Sequence, residues 1–153
     1  MKKSLLVWTT LFVIAGTILA ACSDTAPASL AGEWKLISYG SAASPTLADP
    51  NTETSLTLGI DGALNGNLGC NTFSGSYKVK GSNVTFSSLA STLMACADPI
   101  MQQESTVFHV LNGTAAFNLV GNTLTVTSAD GNTIVVLERI LLSSKYKWKR
   151  IKN

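Results

Sequence analysis

One short stretch is central to this chain: Gly66-Asn67-Leu68-Gly69-Cys70-Asn71-Thr72-Phe73-Ser74-Gly75-Ser76-Tyr77. A second segment, Thr92-Leu93-Met94-Ala95-Cys96, is its predicted partner, because the two segments contain the only two cysteines outside the N-terminal region. The glycines at 69 and 75 indicate tight backbone, and the side chain of Asn71 is expected to hydrogen-bond within its own turn. Phe73 and Tyr77 place apolar mass beside the loop.

The first 21 residues have the composition of an export signal. Lys2 and Lys3 precede an uncharged apolar run of seventeen residues, 5–21, which ends in small residues. The sequence Leu19-Ala20-Ala21-Cys22 resembles a bacterial lipobox, in which the cysteine is acylated and becomes the mature N-terminus. The alternative is an uncleaved membrane anchor, for which this run is short. We therefore predict a signal peptide over 1–21 and lipidation of Cys22.

The part of the chain after Cys22 is long enough for one domain and too short for two. The predicted organisation is a tether at 22–30, a domain at 31–140 and a basic tail at 141–153. Residues 22–144 carry four basic residues and nine acids, whereas the tail carries five cations and no acid. An acidic body argues against a nucleic-acid partner. Three interpretations of the tail stay open: it contacts an anionic membrane surface, it is a solvated end, or it forms an extra edge strand.

Cysteine usage agrees with export. Once Cys22 is assigned to lipid, Cys70 and Cys96 form an even pair in a compartment where disulfides persist. Two alternatives stay open, free buried thiols and a metal site that includes His109. The metal site is disfavoured because the paired C-x-x-C spacing typical of zinc is missing. Redox activity is a further alternative, since Cys96 precedes a predicted helix N-terminus.

Short alternating segments predict about eight strands, near 33–39, 54–60, 63–69, 76–80, 84–89, 115–120, 123–127 and 133–139. Asp61-Gly62 predicts a hairpin turn, with Ile60 continuing the preceding apolar alternation. Residues 41–51 are rich in Ser, Ala and Pro and predict a surface loop. The fold class is α+β: a small antiparallel β-rich domain, either a curved sheet or a partly closed barrel, with one packed helix.

The helix follows Cys96. Asp98 is the predicted N-cap, Pro99 the first helical residue, and Asn112-Gly113 the end. Placing residues at 100° intervals predicts an apolar face made of Ile100, Met101, Val107, Phe108 and Leu111. Glu104 lies in the middle of that face, and His109 lies opposite it.

Glu104 is the titratable residue that the pattern singles out. A carboxylate on an apolar face must be hydrogen-bonded, paired or neutral, because burying a bare charge is costly. The favoured interpretation is that Glu104 accepts hydrogen bonds from the backbone at 69–71 or 92–96. An exposed position and a proton-handling role are the alternatives. His109 is expected at the surface, without the partners that a hydrolytic triad needs.

These motifs together resemble the META domain, a family that includes HslJ-like bacterial envelope proteins, many of them lipoproteins. The residues that carry the resemblance are Trp34, Gly69, Cys70, Asn71, Phe73, Gly75, Tyr77, Thr92, Met94, Ala95, Cys96 and Glu104. The match spans roughly residues 30–140. Leu93 departs from the pattern, since the family often has a basic residue there, and the basic tail lies outside it. The resemblance implies a small β-rich domain with a helix and an envelope role, and it implies no established reaction.

The expected function is therefore a non-enzymatic, lipid-anchored envelope protein with a structural, stress-protective or interaction role, without catalytic residues, cofactor or metal. Ser23 after the lipidated cysteine favours the outer membrane in a diderm host; in other hosts the protein would face outward from the cytoplasmic membrane. The expected partners are the membrane, through Cys22, and an envelope protein or hydrophobic ligand. The alternative is a ligand-binding or pilot-like chaperone lipoprotein, with a groove lined by Phe73, Tyr77, Phe86 and Phe108.

Overall fold

The computed structural model describes residues 29–141. Its elements are the strands β1 Gly32–Ser41, β2 Ser44–Leu47, β3 Ser55–Leu58, β4 Ala63–Asn67, β5 Thr72–Lys80 and β6 Asn83–Ser91, then the helix α1 Asp98–Val110, and finally β7 Gly113–Val120, β8 Thr123–Thr127 and β9 Thr133–Arg139. The predicted signal peptide, the predicted lipidation site Cys22, most of the predicted tether and nearly all of the basic tail lie outside the described residues.

Eight of the strands close into an antiparallel β-barrel. β3 to β9 follow one another around the sheet, and β1 pairs with β3 through 32–34 and with β9 along 34–41, which joins the two edges. β2 is a ninth, short strand that forms a hairpin with the second half of β1, beyond the part that pairs with β3. Closure leaves the barrel strands few unpaired edges. The predicted α+β domain with one helix is confirmed, and the sheet is closed rather than open.

Antiparallel connectivity gives the barrel two distinct ends. The helix end carries the turns at 42–43, 68–71 and 128–132, the segments 48–54 and 92–97, and α1. The terminal end carries the turns at 59–62, 81–82 and 121–122, together with the first and last described residues. The two ends of the described range are close together, since the N–H of Ile140 donates to the carbonyl of Glu33 at 2.7 Å. Both ends of the described range therefore lie at the terminal end.

Alternating apolar residues fill the barrel. The largest fully buried side chains are Trp34, Leu30, Leu36, Leu56, Leu64, Leu68, Leu111, Leu124 and Leu137. Each such side chain contributes roughly 1.5–3 kcal/mol relative to an exposed position. The alternation of buried and exposed residues along β3, Leu56 and Leu58 inward and Ser55 and Thr57 outward, is typical of strands with one face on a core.

Four local predictions were wrong. Residues 41–51 are not all loop, because β2 pairs with β1 there. Ile60 does not continue β3; it sits in the turn and is 96% exposed. Asp98 is not the N-cap, a position that Ala97 occupies without a side-chain cap; Asp98 begins the helix instead. Met101 is exposed rather than packed, since the buried helix residues are Gln103, Glu104, Val107 and Val110.

None of the helices within residues 29–141 has the length and apolar character needed to cross a membrane.

Candidate functional site

The turn at 68–71 is held tightly against the helix. Gly69 has φ +129°, and a Cβ there would lie 2.7 Å from Thr52 Cγ2 and 2.9 Å from Ile100 Cγ2. Both the backbone conformation and the space therefore require glycine. Its N–H donates to Asn67 Oδ1 at 2.7 Å, so Asn67, not Asn71, hydrogen-bonds within the turn. The prediction for the Asn71 side chain was wrong in this respect.

Glu104 reaches the turn from the helix. Its Oε1 accepts the N–H of Asn71 at 3.0 Å, and its Oε2 accepts Asn71 Nδ2 at 2.8 Å. Glu104 is buried, with 3% of the residue exposed. This is the contact with the 69–71 backbone that the sequence predicted for Glu104, with a side-chain bond added. Hydrogen bonds to an ionised acceptor are stronger than neutral ones, so the pair binds α1 to the barrel.

Asn71 also holds the second segment. Its Oδ1 accepts the hydroxyl of Thr92 at 2.8 Å and the backbone N–H of Met94 at 2.7 Å. Met94 takes part through its backbone, while its side chain is 55% exposed. The amide oxygen of Asn71 therefore binds the segment 92–97, and its amide nitrogen donates both to the helix and, at 3.4 Å, to the carbonyl of Met94.

A disulfide completes the junction. Cys70 and Cys96 are bonded, with their Cα atoms 6.1 Å apart, so the free-thiol and metal readings were wrong. We call the set Cys70, Asn71, Thr92, Met94, Cys96 and Glu104 the motif cluster. It joins the β4–β5 turn, the segment after β6 and the helix at a single place on the helix end.

Gln103 was missed by the sequence analysis, although it is 1% exposed. Its Nε2 donates to the carbonyl of Leu68 at 2.6 Å, and its Oε1 accepts the N–H of Asp49 at 3.0 Å. A signal was present: Gln103, Val107 and Val110 follow the i, i+4, i+7 spacing of one helix face. No buried side-chain nitrogen or oxygen among the described residues lacks a partner.

The aromatic and glycine positions of the motif serve the barrel wall. The ring of Phe73 meets that of Phe108 edge to face, with centroids 5.2 Å apart. A Cβ at Gly75 would lie 2.9 Å from the carbonyl oxygen of Ser87, next to a bulge at Ser88. Tyr77 donates its hydroxyl to the carbonyl of Gly59 at 2.8 Å; burial, and then the charge of Asp61, raises its pKa.

Trp34 lies away from the motif cluster, at the terminal end. Its Nε1 donates to the carbonyl of Leu30 at 3.0 Å, and the guanidinium of Arg139 lies 4.2 Å from its ring centroid. Arg139 also donates to the carbonyls of Ala31, at 2.6 Å, and Ser29, at 3.2 Å. Arg139 therefore ties the last strand to the start of the domain, a role for which the sequence carried no signal.

The polar side chains of the motif cluster hold the turn, the segment 92–97 and the helix together. Both Glu104 oxygens are engaged, so the carboxylate is not presented to a substrate. His109 is exposed, as predicted. Asp130 in the β8–β9 turn has a pKa lowered to about 2, mainly because it accepts the Ser128 hydroxyl and the Asn132 backbone N–H. Within residues 29–141, no group of three or more His, Cys, Asp or Glu side chains could hold a metal ion.

A surface pocket of about 250 Å³ lies between β6 and the end of α1. It is lined by Leu89, Ala90, Ser91, Phe108 and Asn112. Of the four aromatics expected around a groove, only Phe108 lines it, because Phe73, Tyr77 and Phe86 are buried in the core.

Similar structures have been solved. An NMR structure of a protein from Burkholderia xenovorans matches with a TM-score of 0.59 at 24% identity, over 71% of this chain and 81% of that one. A second NMR structure matches with a TM-score of 0.53 at 28% identity, over 69% and 86%. The crystal structure of a DUF4847 family protein from Bacteroides vulgatus ATCC 8482 has a TM-score of 0.51 at 13% identity, over 71% and 92%. No curated protein matches the chain.

The family comparison agrees with the motif cluster and the barrel. The META domain model matches residues 28–140, which includes every described strand, the helix and the disulfide. The chain belongs to the META domain family.

Proposed function

We propose that this protein is a lipid-anchored, non-enzymatic protein of the cell envelope, whose META domain has a structural, stress-protective or interaction role. The observation that carries the proposal is the Cys70–Cys96 disulfide. Disulfides persist in oxidising compartments and are rare in the cytosol. A disulfide-bonded domain preceded by a signal-like segment and a lipobox-like sequence fits an exported protein tethered through Cys22.

A non-enzymatic role is supported by the way the motif cluster uses its polar groups. Its buried carboxylate and its amide side chain bond to each other and to nearby backbone. An acid or base in catalysis must reach a substrate proton, directly or through one water. Glu104 is instead committed to positioning the helix.

The location follows from the anchor. Acylation at Cys22 would hold the domain close to the membrane, and Ser23 favours the outer membrane where the host has one. Two acyl chains bind membranes far more strongly than the tail cations could, at ~0.8 kcal/mol per buried methylene against about 1 kcal/mol per cation. The lipid is therefore the anchor, and the tail is secondary.

Mass spectrometry of the native mature protein tests the anchor. We expect an N-terminus at Cys22 carrying acyl chains, and no alkylation of Cys70 or Cys96 after denaturation without reductant. The matched control is Cys22→Ser, which should leave the domain folded and the disulfide intact but abolish acylation. A bare Cys22 in the native protein would refute the proposal.

A second candidate function, binding of an extended peptide, is favoured by the edge of β6. β7 pairs with β6 only at 83–86, so the stretch 87–91 extends beyond it beside the pocket at Phe108. The pocket is small for a drug-sized ligand or an acyl chain, since such sites usually occupy about 300–1,000 Å³. A peptide strand pairing with β6, with one apolar side chain against Phe108, fits the space better.

NMR titration with an extended apolar hexapeptide tests this candidate. We expect amide shifts confined to 87–91 and to the end of α1, and their loss in Phe108→Ala. Met101→Ala, which changes an exposed residue of the same helix away from the pocket, is the control. Shifts that are absent, or spread over the whole barrel, would exclude peptide binding at this edge.

A further inference from the structure

The two ends of the barrel differ in charge. The cations of the described domain, Lys35, Lys78, Lys80 and Arg139, all lie in the halves of their strands nearest the terminal end. Glu33, Asp61 and Glu138 lie among them, so this end is close to neutral. The helix end has no lysine or arginine among residues 29–141, and it carries Asp49, Glu53, Asp98, Glu104 and Asp130. The domain is therefore electrically polar along the barrel axis.

Exposed apolar side chains project from the terminal end. Ile60 in the β3–β4 turn is 96% exposed, Val120 before the β7–β8 turn is 68% exposed, and Leu141 after β9 is 47% exposed. In the strand order around the barrel, these residues occupy three of the four corners of the terminal end, and the β5–β6 turn with the exposed Lys80 occupies the fourth. Single exposed apolar residues are ordinary, but three on one rim with a cation form the pattern of an interfacial surface.

Apolar exposure alone does not distinguish the two ends, because Leu93, Met94 and Met101 at the helix end are also exposed, at 96%, 55% and 37%. The distribution of charge does distinguish the two ends. An anionic bilayer attracts cations and repels the helix end with its acids. The two ends of the described range, residues 29 and 141, also lie at the terminal end. Cys22 precedes residue 29 by seven residues, which span at most about 25 Å when fully extended.

The sequence that follows residue 141, outside the described residues, is basic. It carries Lys145, Lys147, Lys149, Arg150 and Lys152, interleaved with Tyr146 and Trp148. Cations attract anionic headgroups, and Tyr and Trp are enriched at membrane interfaces. The opposing charges among the described residues of this end are Glu33, Asp61 and Glu138. Asp61 is next to Ile60, and the Oδ1 of Asp61 accepts the N–H of Ala63 at 3.0 Å.

We propose that the terminal end of the barrel faces an anionic lipid bilayer, with Ile60 and Val120 at the headgroup level. The helix end and the motif cluster then point away from the membrane. This orientation rests on the lipid anchor proposed above, and it adds which face of the domain meets the bilayer.

Hydroxyl-radical footprinting of the native mature protein tests the orientation. The protein is reconstituted in vesicles of phosphatidylethanolamine with phosphatidylglycerol, and modification is read at Ile60, Val120 and Leu93. Ile60 and Leu93 are equally exposed in the free domain, so their ratio is an internal standard. We expect the ratio of Ile60 to Leu93 modification to fall at least about threefold on the vesicles, because the interface covers the side chains placed in it.

Two matched variants test whether the apolar side chain of Ile60 is needed for the protection of Val120. Ile60→Glu should restore the modification of Val120 on vesicles, whereas Leu93→Glu, the same change at the opposite end, should leave Val120 protected. Salt near ~1 M shortens the Debye length to about 3 Å and should weaken the protection.

The outcomes distinguish the two proposals. An acylated Cys22 with equal modification of Ile60 and Leu93 overturns the orientation and leaves the anchor standing. Protection of Leu93 instead of Ile60 also overturns it. A Cys22 without acyl chains overturns the proposed anchor, and it also overturns the orientation, which rests on that anchor. An acylated Cys22 with selective protection of Ile60 and Val120 supports both.

Discussion

The carboxylate of Glu104 accepts both the backbone N–H and the side-chain amide of Asn71, at 3.0 and 2.8 Å, across the interface between α1 and the β4–β5 turn. The two residues are 33 positions apart in sequence. Because the asparagine oxygen also holds the segment at 92–94, this pair connects three parts of the chain through two side chains.

Replacing Glu104 by Gln should destabilise the domain. A carboxylate accepts from two donors at once, whereas a glutamine amide has one oxygen and would turn its NH₂ towards one of them. We expect a loss of roughly 1–3 kcal/mol in the free energy of unfolding, measured by urea denaturation. The exposed carboxylate Glu53, replaced by Gln, is the control and should change little. An unchanged midpoint in Glu104→Gln would show that the pair does not hold the helix.

Asn71→Asp should be far more damaging than Asn67→Asp. Asn67 acts in the turn through its oxygen, which accepts from Gly69 and which aspartate retains. Asn71→Asp removes the side-chain donor to Glu104, leaves the backbone donor, and places two carboxylates together. Its stability should rise as pH falls, because repulsion raises the pKa of the pair and protonation relieves it. Thermal melts of both variants between neutral and acid pH check this, and equal losses at neutral pH would contradict it.

Removing the disulfide should lower stability without changing the fold. The bridge closes a sequence separation of 26, so the loop-entropy estimate is ~3–4 kcal/mol. We expect Cys70→Ala with Cys96→Ala to melt roughly 10 °C or more below the parent while the far-ultraviolet circular dichroism is preserved. Reduction of the parent protein should reproduce the shift. A reduced protein that melts with the oxidised one would mean that the bridge contributes nothing.

Arg139→Lys should loosen the terminal end. The guanidinium stacks on Trp34 and donates to two backbone carbonyls, and an ammonium cannot reproduce both interactions. We expect a loss of roughly 1–2 kcal/mol and faster amide exchange in β1 near Trp34. The control is Lys35→Gln, which removes an exposed cation from β1, the strand that contains Trp34. Amide exchange that stays unchanged in Arg139→Lys would refute the tie.

The β8–β9 turn should give an acid-sensitive component of stability. The pKa of Asp130 is lowered from 3.8 to about 2, so its ionised form favours the folded state. That stabilisation is present above the unfolded-state pKa and is lost as pH falls towards about 2. As the pH falls from 3.8 to about 2, the melting temperature should decrease less steeply in Asp130→Asn than in the parent protein. Ser128→Ala, which removes the main hydrogen bond, should also flatten the profile, and parallel profiles for all three proteins would contradict the assignment.

Sequence pattern was sufficient for those features that depend on local periodicity. β8 and β9 begin and end where the alternation of Thr, Leu and Val predicted. Turn residues marked the hairpins, and the even pair of cysteines that remains after Cys22 favoured one bridge. An acid within an apolar helical face required a partner, because burying a charge without one is costly, and that physical rule led to Glu104 before any contact was known.

Other features depended on the way the chain closes. Barrel closure through β1 and β9 and the tie from Arg139 to the first described residues are long-range contacts, which no local pattern encodes. The β1–β2 hairpin is local, but its Ser, Ala and Pro residues have the composition of a loop. Met101 and Gln103 lie on different sides of α1, so which of them faces the core depends on the rotation of the helix about its axis. The hydrogen bonds of Gln103 to Leu68 and Asp49 fix that rotation. The sequence by itself determined that a disulfide-bonded β domain with one helix would form. Only the tertiary structure decided which residues meet at each end of the barrel, because antiparallel closure brings distant turns together.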